Sequence, residues 1–117
     1  MKAYTDIEQS KRLAEILPTE SADMARCGGE NVIMTDYMSA KKKFSVCGEL
    51  TITPCWSLAA LLDVLPRVDI EKELWSSDKY DFRVKAYIDD GYAGDWFDNP
   101  IDACYEMIIK LYKRKLL

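Results

Sequence analysis

The spacing of apolar residues along this chain changes several times, and each change predicts an element. Within residues 7–18, Ile7, Leu13, Ala14 and Leu17 fall on one side of a helical wheel, with Glu8, Lys11, Arg12 and Glu15 opposite. Glu8/Arg12 and Lys11/Glu15 have the supportive i,i+4 spacing, which predicts a surface helix with one buried stripe. Thr5 and Glu8 have the spacing of a capping box, in which each side chain satisfies a backbone N–H at the helix start, and Pro18 stops the helix. Residues 19–30 sustain neither a helical nor a strand period and end in Cys27-Gly28-Gly29, so a loop is expected. Strand patterns follow at 31–37, 44–47 and 49–53, with 40–43 as a connection and Gly48 at a bulge or turn.

Pro54 is placed to open a second helix, at a position where a missing N–H costs nothing, and Pro66 ends it. Within 56–65 only Ser57 and Asp63 are polar. A helix so apolar all round needs cover on more than one side, from the core or from an interface. Residues 73–76 and 80–88 then read as a hairpin around Ser77-Asp78-Lys79. Phe82, Val84, Ala86 and Ile88 alternate with Arg83, Lys85 and Tyr87, which gives one buried and one wet face. After the loop Asp89-Asp90-Gly91-Tyr92-Ala93-Gly94, Asn99 and Pro100 mark an N-cap and first helical position, and a third helix runs to about Arg114. Its apolar stripe is Ile101, Cys104, Tyr105, Ile108, Leu111 and Tyr112. The expected fold is α+β, one domain over 1–117. In it three helices pack on an antiparallel sheet in α-β-β-α-β-β-α order, an α/β sandwich.

Composition narrows the chemistry. The chain has 117 residues, 49% hydrophobic and 31% charged, which suits a globular domain with a real core and argues against disorder. There is no histidine, so Ser-His-Asp and Cys-His catalysis and His-containing metal sites are excluded. Cys27, Cys47, Cys55 and Cys104 contain no C-x-x-C pair and read as buried reduced thiols rather than as zinc ligands or disulfides. No apolar run is long enough to span a membrane and no signal-peptide segment opens the sequence, so a cytoplasmic location is expected.

The segments IEQSKRLAEILP (7–18), PCWSLAALLDVLP (54–66) and DNPIDACYEMIIKL (98–111) resemble recurring blocks of a group of short proteins, of unassigned function, carried by gut-bacterial prophages and mobile elements. The last two, with the strand YDFRVKAYI between them, are similar in order and character to the phage ABA sandwich domain. There a helix after a P-x-[WY]-S segment, a strand pair and a terminal helix of P-x-x-A-C type succeed one another. The second likeness covers about residues 50–112; residues 23–48 do not match it. The resemblance implies an α/β sandwich and a phage or prophage origin, and it carries no catalytic motif.

Among candidate sites, Asp89, Asp90, Asp95 and Asp98 lie close together beside Gly91 and Gly94, but without the ligand spacing of an EF-hand. Turn and cap roles explain them, and no metal or other cofactor is expected. Lys41, Lys42 and Lys43, with Tyr37 and Phe44 nearby, could contact phosphates. A net charge of −4, from 16 Lys+Arg and 20 Asp+Glu, lacks the footprint of a nucleic-acid binder. Cys27 before Gly28-Gly29 has no base to activate it, and no phosphate-binding loop is present, so no enzymatic activity is expected. Aromatic residues and Met give the better signal, and of Trp56, Trp75, Trp96, Tyr92, Phe97, Met34 and Met38 most should be core. Trp56, on its apolar helix, and Tyr92, Trp96 and Phe97, beside a glycine-containing loop, are the candidates for an interaction surface with a protein partner or a second copy of the chain. The expected function is thus that of a non-enzymatic phage accessory protein acting by protein binding. Nucleic-acid association through Lys41, Lys42 and Lys43 is the alternative.

Overall fold

The computed structural model describes residues 2–27, 31–33, 39, 52–76, 79–88 and 91–117. They form an α+β fold of three α-helices and two antiparallel sheets. In chain order these are α1 (Ile7–Ile16), β1 (Met24–Cys27), β2 (Asn31–Ile33), β3 (Ile52–Cys55), α2 (Leu58–Val64), β4 (Asp69–Ser76), β5 (Lys79–Ile88), β6 (Gly91–Ala93), β7 (Trp96–Phe97) and α3 (Pro100–Lys113). The chain divides into two compact units, Tyr4–Ala60 and Leu61–Leu117 with Met1–Ala3, and passes from one to the other within α2.

In the Tyr4–Ala60 unit a three-stranded sheet has the order β2-β1-β3, and α1 packs on β3. The cap of α1 is one residue later than Thr5: the Asp6 carboxylate accepts from Gln9 N at 2.8 Å, and Gln9 Oε1 accepts from Asp6 N at 3.1 Å. A one-residue shift of the box releases Thr5, which is fully buried and becomes a hub. Its N–H donates to Trp56 O (3.0 Å), its hydroxyl meets Ser10 Oγ (2.8 Å) and receives Trp56 N–H (3.2 Å), and its carbonyl accepts from Arg26 Nη2 (2.5 Å). The stretch expected as a loop at 19–30 holds a 3₁₀ turn, Thr19–Ser21, and the central strand β1. All four residues of β1 are buried, so no apolar–polar alternation exists to reveal it.

Pro54 does not open the second helix. It lies in β3 opposite Ala25, on a strand that pairs only with β1 among the described residues, where a missing N–H is tolerated. The helix α2 starts at Leu58, behind Ser57, whose hydroxyl accepts from Ala60 N at 3.3 Å and donates to the Asp23 carboxylate. The parts of the expected strands at 34–37, 44–47 and 49–51, and Gly48, lie outside the described residues.

In the other unit β4, β5 and β6 form an antiparallel sheet, with β7 also paired to β5, and α3 packs on β5 and β7. The hairpin is longer than its pattern suggested, since β4 starts at Asp69. The expected loop after β5 supplies β6, and β7 follows just beyond it. At their junction Gly94 has φ +152°, and a Cβ there would collide with the Val84 carbonyl oxygen. Asn99 caps α3 as expected: its Oδ1 accepts from Asp102 N at 2.8 Å, ahead of Pro100. Asp102 in turn accepts from Lys2 Nζ at 2.8 Å. Ile101, Cys104, Ile108 and Leu111 are buried with Ala103 and Met107, whereas Tyr112 is exposed.

The hub predicts the first outcome. In Thr5→Val the Trp56 N–H loses its hydroxyl acceptor inside the core, a loss of about 1–3 kcal/mol. Urea unfolding should show that destabilisation for Thr5→Val and much less for Thr5→Ser, which keeps the hydroxyl.

Candidate functional site

Directly opposed residues of an antiparallel pair share a face, so the register around β5 assigns each side chain of the larger sheet to one of two sides. Val84, Ala86 and Ile88 turn to the buried side, joined there by Ile70, Lys72, Leu74 and Phe97. Arg83, Lys85 and Tyr87 turn to the open side, with Asp69 and Glu71 from β4, Tyr92 from β6 opposite Tyr87, and Trp96 from β7 opposite Arg83. The open side therefore holds three aromatic rings in a field of charge: Tyr87 is 63% exposed, Tyr92 66% and Trp96 37%.

Glu71 organises the cations between them. Its two oxygens accept from Arg83 Nη2 (2.6 Å) and Lys85 Nζ (2.8 Å). The Arg83 guanidinium lies 4.7 Å from the Trp96 ring centroid and the Lys85 ammonium 4.6 Å from that of Tyr92. Tyr92 meets Tyr87 edge-on, with centroids 5.4 Å apart and planes at 77°. Hydrogen bonds from Lys85 and then Arg83 hold the Glu71 carboxyl below its ordinary value of 4.5. Beside the two tyrosines is a basin of about 360 Å³ lined by Arg67, Val68, Asp69, Lys85, Tyr87 and Tyr92. Such a face offers rigid aromatic area whose neighbouring cations are already fixed, so little side-chain freedom is lost on contact with a partner.

The sequence candidates separate on this geometry. Tyr92 and Trp96 share the open face. Phe97, next to Trp96 in the strand, turns the other way, opposite Phe82, and is half-buried. Trp56 is a correction: it is fully buried and its indole N–H donates to Ser21 Oγ at 3.0 Å, so it builds the core of the Tyr4–Ala60 unit and offers no surface. Tyr87, absent from the candidate list, belongs to the face, and its place in the β5 alternation was the available signal. The backbone of Trp75 lies in β4, while Met34, Met38 and the loop of Lys41, Lys42 and Lys43 lie outside the described residues.

Asp95 is ion-paired with Lys110 (3.0 Å) and Asp98 accepts from Asn99 Nδ2 (2.8 Å). Asp89 and Asp90 lie outside the described residues. Among the described residues no three His, Cys, Asp or Glu side chains converge as metal ligands, and no helix is long and apolar enough to cross a membrane. Cys27, Cys55 and Cys104 are buried thiols, and burial pushes the Cys104 thiol up to about 12, far from thiolate at neutral pH. Comparison with known proteins finds no family model, no curated protein and no solved structure that matches the chain.

Because the folded Glu71 value lies below 4.5, its contribution is complete above 4.5 and is lost as pH falls through the folded value. Urea midpoints measured from neutral to acid pH should drop for the native chain in that acid window. Glu71→Gln should start lower at neutral pH and drop less.

Proposed function

We propose that this chain is a non-enzymatic accessory protein that acts by binding a protein partner through the open face of its larger sheet. The supporting observation is the joint exposure of Tyr87, Tyr92 and Trp96 on one side of β5, among cations that Glu71 already holds in place. Aromatic residues and Arg of this kind are the side chains that dominate binding energy where proteins meet. A phage or prophage setting, and with it a cytoplasmic place of action, rests on the resemblance of segments 7–18, 54–66 and 98–111. A homo-oligomer would use the same face, since Trp56 has no exposed surface.

Nucleic-acid association is the second reading, because exposed rings beside Arg and Lys are also what bases stack on. The charge balance of the face weighs against it. Asp69 and Glu71 stand among Arg67, Arg83 and Lys85, and Glu71 engages two of the three cations, which leaves little to attract a polyanion.

Recovery of bound material by the tagged full-length protein from a host lysate, with and without nuclease, separates the two. The expected result is a stoichiometric protein that survives nuclease and moderate salt. Trp96→Ala and Tyr92→Ala should each weaken its capture about tenfold, or roughly 1.4 kcal/mol, while replacing Lys41, Lys42 and Lys43 by Ala leaves it unchanged. Capture abolished by nuclease, by salt or by the lysine replacements would overturn the proposal in favour of nucleic acid. Concentration-dependent sedimentation of the purified chain, lost in Trp96→Ala, would identify the partner as a second copy.

A further inference from the structure

The edge of the larger sheet makes a second surface, distinct from the aromatic one. Strand β4 is eight residues long and, among the described residues, pairs only with β5, so no described strand lies along its outer edge from Asp69 to Leu74. On the side that α3 covers, cover stops at β5. Val84 is buried, but its cross-strand neighbour Ile70 is 51% exposed, and further along Leu74 is 54% and Tyr80 43% exposed. Lys72, between Ile70 and Leu74, lays its ammonium 4.0 Å from the Tyr80 ring centroid. On the opposite side Glu73 stands directly across from Asp81, an unfavourable like-charge pair with no basic partner among the described residues.

In its central in-phase registers a second copy of β4 meets like charge on this edge. An antiparallel pairing about a two-fold axis that sets Ile70 against Leu74 also sets Lys72 against Lys72 and Glu71 against Glu73. Shifting by one pair in either direction sets Glu73 or Glu71 against itself. Registers of the other parity set the row of Ile70 and Leu74 in one copy against the acidic row of the other, Glu71 against Leu74 in one register and Glu73 against Ile70 in the next. In these registers the edge is protected against itself, and no described strand occupies it.

We propose that β4 accepts an extended segment of another protein as an added strand, and that this segment alternates apolar with basic residues. Its apolar side chains continue the row of Ile70 and Leu74, and its basic side chains lie against Glu73 and relieve the Glu73/Asp81 repulsion. Main-chain pairing holds the segment and the alternation selects it.

The test uses the full-length chain and two synthetic peptides of about eight residues, matched to β4, one alternating valine and lysine and the other valine and glutamate. Backbone NMR of the labelled protein should show the valine–lysine peptide shifting the amides of β4 and slowing their hydrogen exchange, with Tyr87, Tyr92 and Trp96 unaffected. Glu73→Lys should weaken that peptide several-fold and at the same time admit the valine–glutamate peptide. This rescue also shows that the variant folds. Equal binding of both peptides to the native chain, no response in β4, a response confined to the aromatic face, or β4 protection that rises with protein concentration alone would each overturn the proposal. An aromatic-face variant such as Trp96→Ala should leave peptide binding unchanged, so this surface and the one proposed above stand or fall separately.

Discussion

One strand sets the geometry of the larger sheet. Ten residues of β5 pair with β4 along one edge and with β6 and β7 along the other, so its two-residue period decides the side of every neighbour as well as its own. Slipping that register by one residue would turn Val84, Ala86 and Ile88 to water and Arg83, Lys85 and Tyr87 toward α3. The cost of that exchange is what fixes the aromatic face in place. The face is thus a by-product of core formation: burying one row of side chains on α3 presents the other row to solvent at fixed spacing.

The smaller sheet is held differently, because its centre is polar. Thr5 supplies a hydroxyl, an N–H and a carbonyl to partners on α1, β1 and the end of β3, and Arg26 reaches from the middle of the sheet to the Thr5 carbonyl. The Arg26 guanidinium also lies 5.5 Å from the Tyr4 ring centroid. A buried cation with these partners fixes the relative position of the elements more narrowly than apolar packing alone, since any slip strands polar groups inside.

Legibility in the sequence followed the strength of local signals. The third helix, with Asn99 and Pro100 at its start, and the alternating strand ending at Ile88 were readable because cap chemistry and period act over a few neighbouring residues. Strand β1 was not: Met24, Ala25, Arg26 and Cys27 are all buried, so their polarity reports no face, and an arginine there reads as surface. Pro54 misled for a related reason. Its ring suits either a helix start or an edge strand, and only the pairing with Ala25 decides between them. For the candidate site, Tyr92 and Trp96 were found from their loop, but their company was not. Asp69 and Glu71 precede the visible strand pattern, and Trp56, chosen for its apolar neighbours, was apolar because it is core.

The tie between Lys2 and Asp102 spans a hundred positions of the chain. During synthesis Lys2 precedes Asp102 by 100 residues, so this tie waits until the start of α3 has followed. Of the Leu61–Leu117 unit, residues 1–3 must wait for the whole Tyr4–Ala60 unit to be translated between them and their destination. In the order of translation every strand of the three-stranded sheet is therefore present before the Lys2–Asp102 tie can form.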